Sequence, residues 1–210
     1  MTVSTELILR RHDAAETLLL KQPVLRVYGS SHAEPIRNDP WFSEDKFWQR
    51  LVELYAPGRD FETVTAWLND ELVGYAFGSP RDDSADTWAE IKAAMPVFPA
   101  PDEPEPIYIF REFAVHPDHQ GRGYGRRLHD HLLDERPERL AHLLVRVDNQ
   151  RAKAAYTSWG WQRIGSTRRR FPCCAPPPEP CRYERVDALS EARSQQKPGS
   201  GSRRTIASST

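Results

Sequence analysis

Apolar positions recur along this chain with two periods, and the alternation between them divides it into elements. From Asp13 to Lys21 the residues Ala14, Leu18 and Leu19 share one face of a short helix, and Pro23 lies just beyond it. Val24 to Asp39 keeps no clear period. Ser43 reads as a helix N-cap; Lys46 at the third helical position leaves it without a full capping box. Phe47, Leu51, Leu54 and Tyr55 give that helix an apolar stripe, and Pro57-Gly58 ends it. Thr63 to Leu68 and Leu72 to Gly78 form two strands of a hairpin around Asn69-Asp70.

The second half reads as a strand, Ile107 to Val115, a loop, Pro117 to Gly123, and a helix, Tyr124 to Glu135, that Pro137 stops. Leu143 to Val147 is another strand. Asn149 caps a helix, Gln150 to Trp159, whose inner face carries Ala152, Ala155, Tyr156 and Trp159, and Gly160 closes it. Gln162 to Arg170 is a further strand, and Tyr183 to Leu189 a short edge strand. The acidic, proline-rich stretch from Arg81 to Pro106, with a helical turn from Thr87 to Met95, is either an excursion near a site or a plain surface insertion. From Pro172 a proline run replaces the periodic pattern, and residues 190–210 are Ser-, Gly- and Arg-rich, the composition of a disordered tail. The expected organisation is a domain over 1–171, an uncertain segment over 172–189 and a tail over 190–210.

Composition narrows the class without naming a function. Hydrophobic residues make up 39% of 210, and no apolar run approaches the roughly 20 residues of a membrane helix. Met1 to Arg11 has no secretory pattern, so a cytoplasmic protein is expected. Cys173, Cys174 and Cys181, an odd number in one late segment, form no disulfide framework and no zinc spacing. The net charge of −1 hides an asymmetry: residues 1–106 hold 10 Lys and Arg against 19 Asp and Glu, and residues 107–210 hold 19 against 11. An acidic half facing a basic half suits a cationic substrate and an anionic cofactor in one cleft, and equally suits two solvated surfaces.

The chemistry concentrates in Gln120-Gly121-Arg122-Gly123-Tyr124-Gly125, between a strand and a helix. Glycines let the backbone turn tightly and let a ligand approach its N–H groups. The helix start adds unpaired donors and the positive end of its dipole, which makes an anion site suited to a pyrophosphate. Arg122, Arg126 and Arg127 add positive charge. No Gly-Lys-Ser/Thr is present, as a nucleotide P-loop requires, and the spacing Gly-x-Gly-x-Gly is not that of a dinucleotide fingerprint, so both nucleotide readings fall well behind. His129 and His131 point to different faces of their helix. His116 and His119 have no Asp, Glu or Cys partners at metal spacing, so no metal is expected.

The segment Glu112-Phe113-Ala114-Val115-His116-Pro117 followed by Gln120-x-x-Gly123-x-Gly125 resembles the acyl-CoA signature of the GNAT superfamily, the Gcn5-related N-acetyltransferases. A second stretch, Asn149, Ala152, Tyr156 and Gly160-Trp161, is similar to that family's run of Asn, Ala, Tyr and Gly-aromatic. The resemblance implies an α/β (α+β) fold: a mixed, mostly antiparallel central sheet flanked by helices, with central parallel strands that splay apart. It implies that acetyl-CoA is the co-substrate and that its pantetheine arm pairs with backbone groups of Phe113, Ala114 and Val115. The Val115 N–H would then face the thioester carbonyl as an oxyanion donor. It further implies contacts of the cofactor with Gln120 through Arg126, with Asn149 and with Ala152.

An amine nucleophile must be neutral to attack, which calls for a base. Glu112 is the candidate, placed by strand alternation on one face with Tyr108 and Phe110; the alternative is a surface ion pair, with His116 then the nearest titratable group. Tyr156 stands where the resemblance puts the acid that protonates the leaving thiolate, and it is equally a core position on an amphipathic helix. Asn149 reads as an N-cap, and the resemblance implies that it also touches the pantetheine arm. The expected function is acetyl transfer to a small-molecule or peptide amine in a ternary complex. The alternatives are a non-catalytic acyl-CoA-binding module and a nucleotide-binding module. No nucleic-acid or membrane partner is expected, and a homodimer is the assembly allowed for.

Overall fold

The computed structural model describes residues 6–81, 107–134, 136–138, 140–146, 149–167 and 186–192. The expected turn at Thr87 to Met95, the three cysteines and the tail from 193 onward lie outside the described residues.

A first strand β1 (Ile8–His12) leads into α1 (Ala14–Leu19), which Asp13 opens with a full capping box shared with Glu16. The stretch without a sequence period is helical: α2 spans Lys21–Ser31 and α3 spans Ala33–Asn38. Pro23 and Pro35 sit in the first turns of these helices, where no intrahelical N–H bond is lost, so they mark starts rather than ends. Ser43 caps α4 (Glu44–Arg50) as expected, its hydroxyl accepting from the Lys46 N–H. The helix then widens into a π-turn, Leu51–Tyr55, in which the Ala56 N–H reaches back to the Leu51 carbonyl at 2.8 Å. This changes the phase of the stripe. Phe47 and Leu51 are fully buried, but Leu54 is 46% exposed, contrary to its expected inner position.

The hairpin is as read: β2 (Glu62–Leu68) and β3 (Glu71–Arg81) pair antiparallel around Asn69 and Asp70, both at positive φ, the backbone of a type I′ turn. The remaining elements are β4 (Ile107–Val115), α5 (Tyr124–Leu133), β5 (Leu140–Arg146), α6 (Gln150–Ser158), β6 (Gln162–Thr167) and β7 (Val186–Ala192). The strands form one seven-stranded sheet in the order β1-β2-β3-β4-β5-β7-β6, antiparallel at every pairing except the parallel pair β4–β5.

Two expectations about the C-terminal part are corrected. The late strand is no edge strand: β7 lies between β5 and β6 and pairs with both. Ser190, Glu191 and Ala192, expected in the tail, belong to it. The sheet therefore runs beyond Phe171.

Helices cover both faces. On one, α5 and α6 bury Leu128, Leu132 and Tyr156 against Val64, Ala76, Tyr108 and Phe110. On the other, α2 and α4 bury Val24, Tyr28 and Phe47 against Tyr75, Phe77 and Ala114. The sheet is thus the middle of three layers with a core on each side.

Candidate active site

The site begins where two parallel strands part. β4 and β5 pair only over Ile107–Phe110 and Leu140–Leu143. Beyond Phe110, β4 stays with β3 while β5 continues along β7, so a wedge opens between Arg111–Val115 and Leu144–Arg146.

Backbone polarity in the wedge follows from the register. The His116 N–H bonds to the Val73 carbonyl at 2.8 Å, and Val115 opposes Gly74. Hydrogen-bonded and non-hydrogen-bonded pairs alternate along an antiparallel ladder. Glu112 and Ala114 therefore exchange their backbone bonds with β3, and Phe113 and Val115 turn theirs into the wedge. Ala114 lines the cleft, but its own N–H and C=O face β3, so the wedge-facing backbone groups are those of Phe113, whose N–H donates to the Glu112 side chain, and of Val115. The Gln120 side chain already takes the Val115 carbonyl, donating to it at 2.7 Å, so the Val115 N–H is the group left at the tip.

A bulge resets the side chains of β4. Pairing steps from Phe77↔Glu112 to Gly78↔Phe110 and leaves Arg111 as the extra residue. Tyr108 and Phe110 point to the α5–α6 face, as do Phe113 and Val115 after the bulge. Glu112 is thereby turned to the opposite face, toward α2, rather than sharing a face with Tyr108 and Phe110; simple alternation cannot foresee an inserted residue.

Glu112 is partly exposed there. Its Oε1 lies 3.7 Å from His32 Nε2 and accepts from the Phe113 N–H at 3.3 Å. Tyr156 is buried on the far side, packed among Phe110, Phe113, Trp159 and Trp161. Burial, and secondly the Glu112 carboxylate, push the Tyr156 phenol far above its ordinary range, so it is a proton donor at neutral pH.

The glycine loop closes the wedge at the start of α5. Gly121 and Gly123 have φ of 77° and 79°, and a Cβ on either would meet nothing within 4 Å. The loop is open to a ligand, and its conformation is one that only glycine adopts without strain. Gly125 has a different reason: a Cβ there would come within 2.9 Å of the Phe113 ring, so glycine lets α5 lie close on β4. Exchanging Gly123 for Val should lower the affinity for CoA, since the added side chain would stand in the open face of the loop where phosphates would approach, and it would strain the left-handed turn as well. Equilibrium binding checks this; normal affinity in the variant would contradict the expectation that this loop receives a pyrophosphate.

Of the expected residues, Glu112, Phe113, Ala114, Val115, Gln120, Gly121, Gly123, Gly125, Arg126, Asn149, Ala152 and Tyr156 all line one cleft of about 1000 Å³. Arg122 is exposed and Tyr124 half-buried, both outside its lining. Arg127 turns away and bonds the Leu7 carbonyl at 3.3 Å, beside a separate cavity of about 480 Å³. Arg126 is held in place: its Nε donates to Asp130 at 2.6 Å, and it lies over the Trp159 ring. The other Asp130 oxygen meets His129 Nδ1 at 2.8 Å, and the Trp161 indole N–H donates to His129 Nε2 at 2.8 Å. Since Nε2 accepts, Nδ1 carries the hydrogen given to Asp130. Asn149 accepts from the Ala152 N–H at 3.0 Å as an N-cap. Gly160, at φ 100°, closes α6 in a Schellman motif, with the Trp161 N–H on the Tyr156 carbonyl and the Gly160 N–H on that of Thr157.

Several cleft residues carry no local sequence signal. Arg151 bonds the Gln120 side-chain oxygen and adds a cation beside the loop. Tyr28, His32, Trp41, Arg50 and Tyr55 form the opposite mouth, brought there by α2, α4 and the π-turn. Among the described residues, no group of three or more His, Cys, Asp or Glu could hold a metal. No helix among them is long and apolar enough to cross a membrane.

Comparison with known proteins gives this geometry a family. An N-alpha-acetyltransferase, RimI, of Mycobacterium tuberculosis is 45% identical over 64 residues, 30% of this chain and 40% of that protein, so the chain spans well under half of this relative's length. The crystal structure of the ribosomal-protein-S18-alanine N-acetyltransferase from Escherichia coli superposes with a TM-score of 0.57 at 19% identity, covering 96% of this chain and 100% of that one. Arabidopsis thaliana Naa50, in complex with the bisubstrate analogue CoA-Ac-MVNAL, superposes at 0.53 with 15% identity, covering 88% and 99%. At these identities the two structures establish the shared fold. The sequence pattern of the acetyltransferase (GNAT) family matches residues 31–161, from the end of α2 through the Gly160 cap, and the chain belongs to that family.

Proposed function

We propose that this chain transfers an acetyl group from acetyl-CoA to a primary amine, by direct attack within a ternary complex. The observation that carries the reading is the convergence, in one cleft, of the Val115 N–H at the tip of an open wedge, the strain-free glycine loop, Glu112 and Tyr156. The N–H groups of the loop and the start of α5 cradle the pyrophosphate. Phe113 and Val115 pair with the pantetheine arm as an added strand. The Val115 N–H stabilises the oxyanion that forms as the amine attacks. Glu112 drives removal of the amine proton, directly or through a bridging group. Tyr156 protonates the departing thiolate. Asn149 and Ala152 border the arm from the start of α6.

Acceptor choice falls to the mouth formed by α2, α3 and the π-turn. Similar proteins named for alpha-amino and S18-alanine acetylation, and one solved with a bisubstrate analogue, support an amine acceptor and a CoA donor, with a peptide terminus as the first class to test. The reaction needs neither a metal nor a covalent enzyme intermediate. We place it in the cytoplasm, with no nucleic-acid or membrane partner and a homodimer as an allowed assembly. The folded unit is proposed to extend through β7.

Thermal unfolding tests the donor. Acetyl-CoA or CoA at about 100 times Kd should stabilise the chain by roughly 2.7 kcal/mol, and ATP or NAD should not. Equal stabilisation by ATP would point to a nucleotide-binding module.

A further inference from the structure

The carboxylate expected to act as base does not stand alone. His32, at the junction of α2 and α3, faces it across the cleft, with Nε2 3.7 Å from Glu112 Oε1 and both side chains 22% exposed. We infer that His32 and Glu112 work as one base, with His32 Nε2 taking the proton from the acceptor amine and Glu112 holding the imidazolium that results. This rests on the transferase reading above and assigns a second catalytic residue to it.

The tautomer of His32 follows from the groups around its Nδ1. The Ser31 hydroxyl donates to the Tyr28 carbonyl at 3.1 Å, so its oxygen is free to accept. His32 Nδ1 lies 2.9 Å from that oxygen and 3.3 Å from the same carbonyl. A carbonyl has no hydrogen to give, so Nδ1 carries the ring hydrogen and donates. In the neutral ring Nε2 is then bare, with its lone pair directed to the cleft.

Two acceptors now face each other, Nε2 and a carboxylate oxygen, with no hydrogen between them. At 3.7 Å they form a fork suited to an N–H donor, and a primary ammonium supplies one to each. One proton passes from the ammonium to Nε2. The freed lone pair attacks the thioester carbonyl, the C–N bond forms, the C–S bond breaks and the thiolate takes the Tyr156 proton; the nitrogen then gives its second proton through solvent to the Tyr156 phenolate, which leaves a neutral amide and a restored phenol. The imidazolium left behind is paired with Glu112, as a buried carboxylate stabilises the imidazolium of other acyl-transfer enzymes.

The surroundings hold the ring and keep the pair simple. His32 stacks on Tyr28 at 4.3 Å, and Tyr28 stacks on Phe47 at 3.9 Å, a fully buried residue of α4. Titratable and charged groups around the pair include Tyr28, Tyr55 and Tyr75 together with Glu34, Arg50 and Arg111, and the Glu112 carboxylate also acts on Tyr156 across the cleft. The three phenols are held protonated chiefly by burial and secondly by Glu112, so they do not compete as bases.

The test is a double-mutant cycle on the full chain with His32→Gln, Glu112→Gln and both together, joined to the nitrogen NMR spectrum of the His32 ring. Each single variant should lose about 10²–10⁴-fold in kcat/KM. The double variant should lose no more than about threefold beyond the worse single one, because groups acting as a unit are not additive. CoA-induced thermal stabilisation should survive in all three. In the neutral wild-type ring the spectrum should show hydrogen on Nδ1 and a bare Nε2. Independent, multiplying losses, or a His32→Gln enzyme within twofold of the wild-type rate, would overturn the inference while leaving the transferase reading in place. Hydrogen on Nε2 would overturn it whether or not any amine is acetylated. Failure of the wild-type chain to acetylate any amine would sink the transferase reading, and the inference with it.

Discussion

Replacing Glu112 with Gln should lower kcat by about 10²–10⁴-fold, the usual contribution of a positioned base, while acetyl-CoA continues to stabilise the chain. The reasons lie in its placement. The bulge at Arg111 turns the Glu112 side chain toward α2 and the acceptor mouth, while its backbone stays bonded to β3. The carboxylate therefore meets the amine and not the phosphates. Gln is nearly isosteric and keeps an oxygen for the Phe113 N–H, so the strand has no cause to move. The charge alone is lost, and with it the pull on the amine proton. The acid limb of the kcat/KM profile should shift as well, since that limb reports the base and its partner together. Stopped-flow or steady-state thiol release over a pH series measures both. An unchanged rate and profile would return Glu112 to a surface ion pair and assign the base to another group.

Tyr156→Phe should act on the other half of the reaction. Its phenol is pushed far above the ordinary tyrosine value of 10.0, by burial first and the Glu112 carboxylate second. A raised folded value means that the protonated form persists throughout the range below pH 10, with the stability it confers lost only as the pH climbs beyond that. Removing the hydroxyl should thus lower kcat by about 10²–10³-fold at every pH below 10, without moving the acid limb. The ring remains packed among Phe110, Phe113 and Trp161, so folding and CoA binding should be nearly unaffected. A variant with full activity would make Tyr156 a core residue only. Rates that fall solely at high pH would contradict a donor protonated throughout the working range.

Local signals made much of this molecule readable. Ser43, Asn149 and Gly160 are caps whose chemistry is set by neighbours a few residues away, and all three perform as expected. The Asn69-Asp70 turn and the glycine loop are equally local. What escaped was set by distance. The α2–α3 stretch hid behind Pro23 and Pro35, which begin helices as readily as they end them. The Arg111 bulge exists because β3 pairs with β4 on either side of it, a relation no single strand reveals, and it moved Glu112 to another face. The π-turn at Leu51–Tyr55 exposed Leu54 in the same way. His32 and Arg151 reach the site only through folding, so their sequence surroundings gave no sign of them. The strand β7 reads as an edge in the sequence because both its partners, β5 and β6, precede it in the chain, with a proline run before it.

The most direct test of the central claim is the release of free thiol from acetyl-CoA by the full chain, measured across a panel of primary amines from small molecules to peptides, with mass spectrometry of the products. The account predicts thiol release that depends on both enzyme and amine, matched by a product heavier by one acetyl group. Binding of acetyl-CoA without amine-dependent thiol release or acetylated product, for every class in the panel, would contradict it and leave a chain that holds the cofactor without using it.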